Sequence, residues 1–117
     1  LGPLWNRFPA QLNEGEARCA AMARALILGQ ELLLLDDPAE GLDAPMVRHL
    51  GQLRAKYREA KPPAILATMR TYSPLMEAAE RVAFLCDGKI QALGRHQDLL
   101  AMADERMQEY LQPMPLA

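Results

Sequence analysis

The chain is poor in the residues that usually announce a function. It has two cysteines, two histidines, one tryptophan and 5% aromatic residues in 117 positions. Cys19 and Cys86 are far apart and form no CxxC pair, so neither a disulfide framework nor a zinc site is indicated. Both read as small buried hydrophobes. His49 and His96 have no partner visible in the sequence and receive no role. Charge of one sign is also lacking: thirteen Lys+Arg against fifteen Asp+Glu give a net charge of −2. A nucleic-acid binder normally shows a basic face, so no nucleic acid is expected as a partner. No apolar run approaches the roughly 20 residues of a membrane-spanning helix, and no signal peptide is visible. Half of the residues are hydrophobic, enough for a core in a domain of this size. The expectation is a soluble α/β protein from a reducing compartment. A chain opening on Leu1 rather than Met, with no linker before Trp5, is further expected to enter its domain part-way.

What is present is a regular alternation. Residues 17–28 hold five alanines, with Arg18 and Arg24 as their only charges. Alanine is the best helix former, and a helix apolar all round is expected to be buried. Asn13 can cap it, with Glu16 bonding back three residues later, and Gly29 supplies the stop. Leu32–Leu35 then run into Asp36-Asp37-Pro38, which reads as a strand buried on both faces of a parallel sheet. A second helix is expected over about 44–60, with Met46, Leu50, Leu53, Tyr57 and Ala60 as its core stripe. Ala64–Thr68 reads as another buried strand. Ser73-Pro74 starts a short helix, with Ser73 at the cap. Asp87-Gly88 turns a hairpin between 82–86 and 89–93, and about 97–111 reads as one helix. The order indicates an α/β fold.

Ligands of parallel sheets bind beyond the carboxyl ends of the strands, where Asp36 and Asp37 are expected. Neighbouring strand residues point to opposite sides, so the pair should divide its work rather than act as a dyad. By themselves they also suit a solvated turn. Their surroundings are more specific. Leu12-Asn13-Glu14-Gly15-Glu16, the Ala-rich helix, Leu32–Pro38, Gly41-Leu42-Asp43, Ile65–Arg70 and Asp87–Ile90 follow one another at tight spacing. In this the chain resembles the nucleotide-binding domain of an ABC transporter over nearly its whole length.

The resemblance implies the C-terminal half of a P-loop NTPase domain of the ABC (RecA-like) type, spanning residues 1–117. Asp36 would be the Walker B aspartate serving Mg2+, and Asp37 the catalytic base. Asn13, Glu14, Gly15 and Glu16 would form the signature that meets ATP held by a second cassette. Asp43 would be the D-loop residue, and Met69 with Arg70 would stand at the switch position. Partners would be a second cassette, identical or different, and transmembrane permease subunits. The location would be cytoplasmic, on the inner face of the cell membrane. A lipid cargo is a further expectation, resting on Ala17–Ala25.

Several positions depart from the family pattern. Glu14 replaces a glycine, and Glu16 replaces glutamine. Asp37 is one methylene shorter than the family's glutamate, and a displacement of about 1 Å can cost ~100-fold in rate. Met69 can neither titrate nor donate a hydrogen bond. Arg70 reads either as a replacement phosphate contact or as a surface arginine. Asn13, Glu14 and Glu16 read either as a phosphate contact or as a plain helix cap, and Asp43 also suits a cap for the next helix. The alternative function is therefore a catalytically degenerate cassette with a regulatory or structural role. A soluble cassette in DNA repair or translation fits the acidic balance less well.

The glycine-rich phosphate loop with its lysine does not occur in these residues. Backbone amides and a lysine are what cradle β- and γ-phosphates. Residues 1–117 alone are therefore expected to bind Mg-ATP weakly or not at all. Calorimetric titration checks this, and a submicromolar Kd would contradict it.

Overall fold

The structure is a computed structural model and describes residues 2–40, 42, 45, 48, 52, 63–102 and 104–115. They fall into two compact units, 1–68 and 69–117.

In the first unit, two 3-10 turns at Gly2–Leu4 and Pro9–Gln11 precede helix α1, Glu14–Ile27. Its start is the capping box expected from sequence. The Asn13 side chain accepts from the Glu16 amide at 2.8 Å, and the Glu16 carboxylate accepts from the Asn13 amide at 2.9 Å. Its end is Gly29 at φ 64°, the left-handed conformation that glycine adopts without a Cβ clash. Strands β1 (Leu32–Asp36) and β2 (Ala64–Thr68) pair in parallel, Leu32 opposite Ala64 and Asp36 opposite Thr68. Parallel neighbours need a crossover between them. Pro45, Arg48 and Gln52 within that connection are helical, and the rest of the expected 44–60 helix, its core stripe included, lies outside the described residues.

Two expectations about burial are corrected. Leu33 is buried, but Leu34 and Leu66, on the opposite face, are 67% and 63% exposed. No side chain of α1 is buried. A sheet covered on both faces needs a layer on each, and the described residues of this unit provide cover only on the Leu33 side.

The second unit holds helix α2 (Leu75–Ala78), the antiparallel hairpin β3 (Val82–Cys86) and β4 (Lys89–Gly94), then α3 (His96–Leu100) and α4 (Glu105–Leu111). Met76, Leu99, Met107 and Leu111 form its core, with Phe84 and Ala92 of the hairpin packed against them. Asp87 and Gly88 turn the hairpin at φ 51° and 72°, both left-handed as a two-residue type I′ turn requires. Register slips between Phe84 and Leu85, a β-bulge. Ser73, the expected cap, lies one place ahead of the observed one, because Pro74 takes the N-cap of α2. Its hydroxyl still accepts from the Leu75 amide.

The single helix expected over 97–111 is two helices. Asp104 caps the second, its carboxylate accepting from the Met107 amide at 3.2 Å. A short acid that can bond to the backbone this way starts a helix more readily than it continues one. His96 also gains a partner, since its Nε2 donates to the Leu111 carbonyl at 2.8 Å and satisfies the end of α4. Cys19 and Cys86 are half-buried rather than buried.

The hydroxyl of Tyr72 donates to the Glu77 carboxylate. That bond, then burial, then the charge of Glu77 raise the phenol from 10.0 to about 12. A pKa raised on folding means stability that is complete below pH 10 and lost as pH rises towards about 12. Phenolate absorbance assigned by comparison with Tyr72→Phe is therefore expected to appear near pH 12. Glu77→Gln should move that step back towards the ordinary value.

Candidate functional site

The first unit places two of its features side by side through one arginine. Asp36 is the last residue of β1, exposed, with its Oδ1 accepting from the Thr68 hydroxyl at 2.7 Å. The bond spans the two strand ends, because opposite residues of a parallel pair share a face. It leaves the second carboxylate oxygen for a water or a cation.

Asp37 has left the strand. Its φ of 45° lies in the left-handed region, which aspartate tolerates better than most residues. Its amide donates to the Thr68 carbonyl at 2.9 Å, and its own carbonyl accepts from the Glu40 amide at 3.1 Å, closing a turn over 37–40. The expectation that strand alternation separates Asp36 from Asp37 is thus replaced by a backbone turn between them.

Arg18, one turn into α1, reaches this turn. Its Nη1 donates to the Asp37 carbonyl at 3.3 Å, and its Nη2 meets the Glu40 carboxylate at 3.1 Å. The same Nη2 lies 3.7 Å from the Glu14 carboxylate. Its Nε is buried without a hydrogen-bond partner, a cost of about 1–3 kcal/mol. Sequence reasoning missed Arg18, Glu40 and Thr68 as contributors. A cation in an alanine helix, four residues after Glu14, was the available signal for the first.

At residues 13–16, expected to form a signature, the side chains do what a helix cap requires. Asn13 Oδ1 and the Glu16 carboxylate are spent on each other's backbone, and Glu14 turns towards Arg18. The amides of Glu14 and Gly15 are left, since the first N–H groups of a helix have no intrahelical acceptor. Asn13 keeps its side-chain NH2 as a donor. Asp43 lies outside the described residues. Met69 and Arg70 belong to the second unit, where Met69 packs against the core and Arg70 is exposed. β2 ends at Thr68, so neither residue lies on the strand.

No group of three or more His, Cys, Asp or Glu able to enclose a metal exists among the described residues. One exposed carboxylate with a free oxygen fits Mg2+ in its usual form. That ion keeps several waters and shares one or two carboxylates with substrate phosphates.

No family model matches the chain. Individual proteins do. The molybdenum import ATP-binding protein ModC of Yersinia pestis is 33% identical over 101 residues, covering 86% of this chain and 28% of that protein. The sulfate/thiosulfate import ATP-binding protein CysA of Yersinia pseudotuberculosis is 38% identical over 95 residues, covering 80% and 26%. A bacterial ABC transporter cassette solved as a dimer superposes with TM-score 0.65 at 26% identity, over 74% of this chain and 37% of that one. The chain is homologous to ABC transporter ATP-binding proteins over the part of them that it spans. Another ATP-binding cassette of an ABC transporter gives TM-score 0.76 over 97% of this chain and 45% of its own, at 17% identity, which speaks to the fold. The α/β architecture of the chain is therefore the cassette form of the P-loop NTPase fold. The chain spans only 28% and 26% of the length of these two curated relatives.

Asn13→Ala is expected to destabilise the protein by about 0.5–2 kcal/mol, whereas Asn13→Ser, another good cap, should cost little. Urea unfolding of the two variants checks this.

Proposed function

We propose that this chain is the C-terminal part of one ATP-binding domain in an ABC importer, with the 1–117 segment supplying the base and the signature. The observation that carries the reading is the pair Asp36-Asp37 at the carboxyl end of a parallel strand, where open α/β sheets bind ligands. The identity to ATP-binding proteins of two importers supports the importer class. The names of these relatives carry different cargoes and no lipid, so the lipid expectation finds no support there.

The residues divide as follows. The half-buried carboxylate of Asp37 accepts the proton of the attacking water. Asp36 would hold Mg2+ through its free oxygen, by way of water. When bound, the ion supplies positive charge to the phosphates. The free amides of Glu14 and Gly15, at the positive end of α1, offer hydrogen bonds to a phosphate held by an opposing cassette. Asn13 adds its NH2, while Glu16 preserves the cap. Asp43 would order the cassette interface, and Met69 leaves the switch position without a proton donor. Arg70 is the cation nearest to it in sequence. The dimeric relative supports a second cassette as partner. Membrane permease subunits complete the proposal and place the protein at the cytoplasmic face of the membrane. No described helix is long and apolar enough to cross a membrane.

Asn tolerates the left-handed backbone of position 37 as well as Asp does, so Asp37→Asn isolates the chemistry from the fold. In the whole protein this substitution is expected to lower Mg-ATP turnover by ~100-fold or more while leaving ATP binding intact. A parent protein that binds ATP and turns over no faster than Asp37→Asn would instead establish the degenerate cassette.

A further inference from the structure

We infer that Arg18 is a positioning residue for Asp37, clasping both ends of the 37–40 turn from helix α1. The inference rests on the reading of Asp37 as the base. Three observations carry it. Asp37 stands at φ 45°, a left-handed conformation that a non-glycine residue adopts at a cost and that the surrounding bonds hold here. The Asp37 carbonyl accepts twice, from the Glu40 amide and from Arg18 Nη1. The other nitrogen of the same guanidinium holds the Glu40 carboxylate at 3.1 Å. One planar fork therefore grips the first residue of the turn by its backbone and the last by its side chain. Glu14 stands behind it at 3.7 Å and braces the guanidinium on the helix side.

The geometry requires arginine. Two acceptors on separate residues are reached by two nitrogens in a rigid plane, whereas a lysine ammonium is a single point on a flexible stem. Arg18 touches neither nucleotide nor water in this scheme. It sets the direction of Asp37, and a misplacement of about 1 Å at a reacting group can cost ~100-fold.

The test uses the whole protein and two readouts: Mg-ATP turnover, and hydrogen exchange of the Glu40 amide by mass spectrometry. Arg18→Gln is expected to lower kcat by about 10–100-fold with KM for Mg-ATP and Tm nearly unchanged. It should also speed exchange of the Glu40 amide. Arg18→Lys should recover only part of kcat, and adding Glu40→Gln to Arg18→Gln should lower it little further, because both remove one clasp. Wild-type kcat and unaltered exchange in Arg18→Gln, alongside an Asp37→Asn protein that is silent, overturn the positioning role and leave the base intact. A parallel loss of Tm and kcat that Arg18→Lys restores in full also overturns it, since a purely structural cation would behave so. An Asp37→Asn protein with undiminished turnover overturns the base reading and the positioning role with it.

Discussion

The first unit depends on how the chain leaves β1. A parallel strand must shed its last hydrogen bonds somewhere, and here the ladder continues one residue past the strand, through the Asp37 amide to the Thr68 carbonyl. That bond fixes the amide of Asp37 while its φ swings to 45°. The chain then reverses over 37–40 instead of running on. The arrangement of the acidic residues follows from this reversal. Asp36 still obeys the pleat and faces Thr68, whereas Asp37 obeys the turn. Two consecutive carboxylates are separated by a change of backbone region, and that permits different tasks without like charges sharing one face.

Helix α1 is tied into the same constraint although none of its side chains is buried. Isolated helices of about this length are marginal in water, so its reciprocal cap and its contact with the turn matter more than usual. Glu14 and Glu16 stand in the first turn, where negative charge complements the helix dipole. The exposed ion pairs of Arg18 contribute at most about 1 kcal/mol each. Their significance is geometric, as they join a helix start to a strand end.

Local features were legible in the sequence because local chemistry sets them. The Asn13/Glu16 box, the Gly29 stop and the Asp87-Gly88 turn each need only a few neighbouring residues, and each appears where expected. Burial was not legible in the same way. The leucines of β1 fit a doubly covered strand, yet Leu34 is 67% exposed, since cover comes from other parts of a chain and not from the strand. The split of 97–111 is not announced by apolar spacing, because Leu100, Met107 and Leu111 keep a helical period across Asp104; the break comes from the bond that Asp104 makes to the backbone. Arg18 was passed over for a related reason. Its partners are about twenty residues away, and nothing in a linear pattern links a helix cation to a backbone carbonyl beyond the next strand.

Glu14, Glu16, Asp36, Asp37 and Glu40 surround the α1 start and the β1 end, and Arg18 is the cation that the described geometry sets among them. Its fork is directed at Glu40 and Asp37, not at solvent. An isolated triphosphate approaching this surface would therefore meet carboxylates, with the amides of Glu14 and Gly15 as the chief attraction. Two unit charges of like sign at 4 Å and an effective dielectric near 20 repel by about 4 kcal/mol, more than one helix terminus returns. Within the proposed function, the positive charge that lets a nucleotide settle must arrive with it as Mg2+, or come from the phosphate-binding elements of a cassette. These residues are suited to act on a phosphate already held. They are poorly suited to capture one.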